Sequence, residues 1–214
     1  MTTARRKWFK AYFYSLIWFE LYDLIEFLVT NNGRILEHPT LRGDQLIDNY
    51  NFIFERESAG YRFINGSLAP ISNPAEVSEL NEAIQSSRNS GMLGAQKHLS
   101  QAIALLSRKP EPDFRNAIKE AISAVESIAN SLSGANSAGG LAVALRVLSE
   151  TAEIHPALKK GFVALYGYTS DEDGIRHAIL EEKHIGYEEA KFMVVSCSAF
   201  VNFLLGKGAN AKLL

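Results

Sequence analysis

One unbroken helical period constrains this chain more than any other feature. After Asp113, the residues Ile118, Ala121, Ile122, Val125, Ile128, Ala129 and Leu132 recur at intervals of three or four, which puts them on one stripe of a long helix. A stripe of that length has to be buried against other elements, because a single helix cannot shield its own apolar side. Asp113 stands where an N-cap belongs, and Pro110-Glu111-Pro112 before it stops any helix arriving from upstream. A boundary between two structural halves is therefore expected there, with an N-terminal α+β region over 1–110 and a helical domain over 111–214.

The same periodicity extends on both sides of the break. Upstream, helices are expected from Pro74 to about Ser87 and from Ser90 to Ser107, the second carrying Leu93, Leu99, Ile103 and Leu106 on one side. Downstream, Gly134 to Gly140 forms a loop, Leu141 to Thr151 a short helix, and Pro156 to Tyr166 another. Gly167 to Gly174 is an acidic polar turn, and Ile175 to Glu182 resumes as helix. The last helix, Tyr187 to Leu205, is apolar nearly all round and belongs at the centre of the core. Near the N-terminus, the aromatic density of residues 6–29 predicts one long, mostly buried helix closed by Asn31-Asn32-Gly33. Between them, Asn65-Gly66 is a hairpin turn signal that sets Phe63 opposite Leu68 and Tyr61 opposite Pro70, with Phe52 and Phe54 as a third strand. The fold class is mainly α with a small antiparallel β-hairpin or meander.

Composition narrows the function classes. The 214 residues are 47% hydrophobic and 21% charged with a net charge of −2, the profile of a globular protein and not of a disordered, collagen-like or coiled-coil one. Near-neutrality removes the broad basic surface expected of a nucleic-acid binder and leaves room only for a local patch. Cys197 is the single cysteine; it lies in an apolar run, as a buried small hydrophobe would, and excludes an intrachain disulfide or a Cys-rich metal site. The basic start Arg5-Arg6-Lys7 imitates a secretory leader, but Lys10, Glu20, Asp23 and Glu26 interrupt the apolar stretch that follows. The same charges exclude a bilayer span over residues 8–29. A cytoplasmic protein with no membrane partner is expected.

Phosphate-loop, dinucleotide-fingerprint, zinc-peptidase and nucleophile-elbow motifs are all missing from the sequence, so no cofactor or metal is expected. Glu20, Asp23 and Glu26, spaced by three, form either a solvated stripe or a metal or acid–base site. Polar chemistry concentrates in Tyr166 to Ala178, where Arg176 and His177 are adjacent. A guanidinium can hold a phosphate bidentately while an imidazole moves protons near neutral pH. The alternative is that Arg176 pairs with Asp171, Asp173 or Glu181 and His177 bonds locally. Those acids would repel a polyphosphate unless Arg115, Lys119, Lys159, Lys160 or a second subunit compensates. His38 and His155 each precede a proline, and His98 and His184 stand alone.

Four blocks carry a family resemblance: Arg115 to Ser127, Ile154-His155-Pro156-Ala157-Leu158, Tyr166 to His177, and Glu189-Ala190-Lys191-Phe192. They resemble the C-terminal region of AbiJ-type abortive-infection proteins, in the block order of a HEPN-like four-helix bundle. Trp18-Phe19-Glu20-Leu21-Tyr22-Asp23 and Glu57-Ser58-Ala59-Gly60-Tyr61-Arg62-Phe63 resemble an N-terminal domain class of the same group. The resemblance implies phage defence or a toxin–antitoxin setting and a homodimeric, metal-independent RNase, with RNA or a cognate defence protein as partner. Arg176 would hold the scissile phosphate, His177 would act as general acid or base, and Arg115 and Lys119 would assist substrate binding. The family motif separates its arginine from its histidine by four to six residues, whereas here they are contiguous. The resemblance thus implies either a variant nuclease site or the fold without the activity, serving as an interaction and dimerisation module.

Overall fold

The computed structural model describes residues 3–32, 43–134, 140–170 and 185–214. Within them the element order is α1 (Thr3–Ser15), α2 (Trp18–Thr30), α3 (Gly43–Arg56), β1 (Arg62–Ile64), β2 (Ser67–Ala69), α4 (Pro74–Asn89), α5 (Leu93–Leu106), α6 (Phe114–Ser133), α7 (Gly140–Thr151), α8 (Pro156–Ser170) and α9 (Tyr187–Asn210). The protein is mainly helical with one small antiparallel sheet, as the sequence predicts.

Helix α6 is the hub. Asp113 caps it by accepting from the Asn116 amide at 3.1 Å, and all seven residues of the predicted stripe are buried. Gly134 ends it in the left-handed conformation, at φ 63°. Helices α5, α9 and α7 pack along α6, and α9 also packs on α4 and α5. Close approach depends on small residues. A Cβ on Gly208 would stand 2.7 Å from Leu132 Cδ2, so glycine lets α9 settle against α6. By length and composition α9 is apolar enough to cross a membrane; here it fills the core with Met193, Val194, Cys197, Phe200, Val201 and Leu204.

The predicted hairpin forms in the predicted register, with Phe63 opposite Leu68. Asn65 and Gly66 both take positive φ, 48° and 82°, the pair that a tight turn of this twist requires. Alternation along β1 and β2 then divides the interior. Phe63 and Leu68 face a small cluster with Ile25, Val29 and Phe54. Ile64 and Ala69 face the large core that runs on to Leu205.

Four expectations change. The single long helix over 6–29 is two helices: Ile17 is extended (φ −75°, ψ 164°), and Glu20 turns back to accept its N–H at 3.1 Å, opening α2 afresh. Nor is the segment mostly buried, since only Ile25 and Val29 of α2 are. Phe52 and Phe54 lie in α3, not in a third strand. Aromatic content favoured a strand locally, but Ile47, Tyr50 and Phe54 share one helical side against the small cluster. Asn51 of α3 takes the missing strand's place: it donates to the Phe63 carbonyl at 3.1 Å and accepts from the Phe63 N–H at 2.7 Å, satisfying an edge that would otherwise lack partners. Helix α5 starts at Leu93 because Ser90 and Gly91 close α4, the glycine at φ 72°. Helix α8 extends to Ser170, through the first part of the predicted polar turn. The loop over 135–139 and the helix expected over 175–182 lie outside the described residues.

Candidate functional site

Arg176 and His177, the candidate catalytic pair, lie outside the described residues, as do His38 and His184. Their setting is defined on both sides by α8, which leads into 171–184, and α9, which leads out. Helix α8 is tied to the hub near its C-terminal end, where the Tyr166 hydroxyl donates to Glu126 Oε1 at 2.8 Å. Arg115, Lys119 and Glu126 recur at i, i+4 and i+11, so they follow one side of α6. Lys119 is exposed and Arg115 half-buried. A cationic first half and a carboxylate anchoring α8 thus occupy the same flank of the hub helix.

The acidic stripe of α2 is divided between two tasks. Glu20 caps its own helix, while Asp23 and Glu26 both engage Lys109. Lys109 has only 5% of its side chain exposed and reaches Asp23 Oδ1 at 3.2 Å, Glu26 Oε2 at 3.1 Å and the Ser107 carbonyl at 3.2 Å. An ammonium has three protons to donate, and three acceptors surround this one. The stripe is therefore neither simply solvated nor an acid–base centre; it is half of a latch joining α2 to the segment after α5. An open cleft of about 360 Å³ runs beside the latch, lined by Asp23, Glu26, Thr30, Ser67, Ser107 and Arg108 among others. Sequence reasoning missed Lys109, whose carboxylate partners lie more than eighty positions upstream.

Two further titratable groups have settled places. His98, which looked isolated in sequence, meets Glu120 Oε2 through Nδ1 at 2.7 Å and joins α5 to α6. Cys197 is buried and its thiol is pushed up to about 12 by desolvation, which makes it a packing group and not a nucleophile. Among the described residues, no group of three or more His, Cys, Asp or Glu side chains is placed to hold a metal ion.

Compared with known proteins, residues 2–86 match the family described as AbiJ N-terminal domain 4. No curated protein and no solved structure matches the chain. The matched region contains α1, α2, α3, the hairpin and most of α4, including the Trp18–Asp23 and Glu57–Phe63 stretches. The match covers less than half of the chain and supports an AbiJ-type N-terminal domain over those residues.

Proposed function

We propose that this chain is a cytoplasmic abortive-infection protein whose residues 111–214 are a HEPN-like, homodimeric, metal-independent endoribonuclease, with residues 1–110 as its AbiJ-type N-terminal region. The observation that carries the defence setting is the match over residues 2–86. The nuclease reading rests on the resemblance of the C-terminal blocks. In support, α7, α8 and α9 each pack on α6, the Arg176-His177 segment connects α8 to α9 in the chain, and Arg115 and Lys119 stand on α6. In this reading Arg176 neutralises the scissile phosphate and His177 takes the proton of the ribose 2′-hydroxyl as that oxygen attacks. The P–O5′ bond breaks and the departing O5′ takes the proton that His177 accepted, by way of the imidazolium or solvent, leaving a cyclic phosphate and a 5′-hydroxyl.

The test is direct. The purified chain in chelator cleaves RNA to cyclic-phosphate ends, and His177→Ala or Arg176→Ala lowers the rate by a factor of about 100 to 10,000. Equal cleavage by wild type and variants would overturn the assignment. A second reading, a non-catalytic interaction module, is favoured by the acids flanking a contiguous Arg-His pair. It predicts no cleavage and a stable partner that co-purifies.

A further inference from the structure

We propose that α1 is an interfacial helix that docks the protein on an anionic lipid bilayer. The proposal is independent of the nuclease reading. It concerns peripheral contact, not the spanning segment that residues 8–29 fail to provide, and it revises the expectation of no membrane partner.

Helix α1 shares no extended packing face with any other described element. Its large side chains stand in solvent: Trp8 is 67% exposed, Tyr12 43%, Phe9 37% and Tyr14 75%. Trp8 and Tyr12 stack with ring centroids 5.4 Å apart and nearly parallel planes, forming an aromatic ledge that the other described residues leave exposed. The apolar rim continues past the helix end through Ile17 and Trp18, both more than half exposed. A helix of 13 residues without tertiary packing is marginal in water. A surface that covers the ledge would supply what the other described elements do not.

Charge decides which surface. Arg5, Arg6, Lys7 and Lys10 lie in α1, which contains no acidic residue. At about 100° per residue, Trp8, Phe9, Tyr12 and Phe13 gather on one side with Ala4 and Ala11, and position 5 falls among them; Arg6, Lys7 and Lys10 gather on the other side together with Tyr14, over whose ring the Lys10 ammonium sits. Four of the five rings on one side and three of the four cations on the other suit the headgroup layer, where rings insert, the cations meet lipid phosphates and a tyrosine such as Tyr14 can lie at the polar boundary. A single-stranded nucleic acid needs rings and cations along one groove, whereas three of the four cations here lie off the side that carries Trp8, Phe9 and Tyr12. A second α1 would bring like charges together with no acid in either helix to offset them.

The test uses the full-length chain with vesicles of phosphatidylcholine alone and vesicles containing roughly a third phosphatidylglycerol. Expected results are co-sedimentation with the anionic vesicles only, a blue shift of tryptophan emission on binding, and weakening by added salt. Reversing Arg6, Lys7 and Lys10 to Glu lowers partitioning by about a hundredfold or more, and Trp8→Ala with Tyr12→Ala lowers it by about tenfold. Because these side chains are exposed, both variants keep the wild-type melting temperature and any RNA cleavage. Absence of binding to anionic vesicles at low salt, equal binding to neutral ones, or no response to charge reversal would overturn the proposal. So would an RNA oligonucleotide or self-association that depends on the same residues while vesicles are ignored.

Discussion

The two faces of one short hairpin look onto interiors built in opposite ways. On one side Phe63 and Leu68 meet Ile25, Val29 and Phe54, a small cluster in which bulky rings span gaps between few elements. Tyr22 stacks on Tyr61 at 4.5 Å and Tyr50 tilts against Phe54, so contact there is made ring to ring at the edge of the molecule. On the other side Ile64 and Ala69 enter a core in which Ala117, Ala121, Ala124, Ala129 and Gly208 let helices approach closely. Small residues make many interlocking contacts per element and bind the helices into one cooperative body. Large rings at a periphery stabilise locally, and their region opens first.

This contrast can be broken by substitution. Phe200 is 1% exposed and stacks on Phe162. Phe200→Ala should cost about 3–5 kcal/mol of global stability, read from denaturant midpoints. Phe54→Ala should cost about 2–3 kcal/mol locally, seen as faster hydrogen exchange in α2, α3 and the hairpin while α6 and α9 stay protected. Equal global losses from both would mean that the two interiors are one. Lys109→Met tests the latch across them and should loosen α2 by about 1 kcal/mol, because Asp23 is more than half exposed and keeps its hydration.

The smallest effect is alkaline. Lys191 is raised above its ordinary 10.5 by its hydrogen bond to Glu76, and Tyr187 above 10.0 by burial. Both groups hold their protons longer in the folded chain than in the unfolded one, so stability is full below about pH 10 and falls as pH rises. Glu76→Gln should remove the Lys191 share of that slope and leave the Tyr187 share. An unchanged slope would show that the Lys191–Glu76 contact at 2.8 Å plays no part.

Legibility in the sequence followed the same division. Helices α4, α6, α7 and α9 and the hairpin register could be read directly, because each is specified by its own period, cap or turn. The peripheral region could not. Aromatic residues satisfy helix and strand patterns alike, so Phe52 and Phe54 suggested a strand, and the break at Ile17 lacks the glycine or proline that would announce it. The Asn51 side chain pairing with Phe63 and the Lys109 latch depend on residues distant in the chain, which no local pattern records. Of the candidate site, Arg115 and Lys119 were legible as charges that could compensate the acids, but their shared side of α6 with Glu126 was not. Nor was the link from Tyr166 to Glu126.

The double-faced hairpin also bears on how such chains can be assembled from parts. The family match stops at residue 86, inside α4, three residues short of that helix's end. Ile64, Ala69, Leu80, Ala83 and Ile84, all within the match, are interior residues of the core completed by α6 and α9. The N-terminal module therefore has an unfinished side and is portable only between C-terminal halves that offer it a matching bed of small side chains. Exchange of modules would be limited by the shape of that seam as much as by the chemistry each half performs.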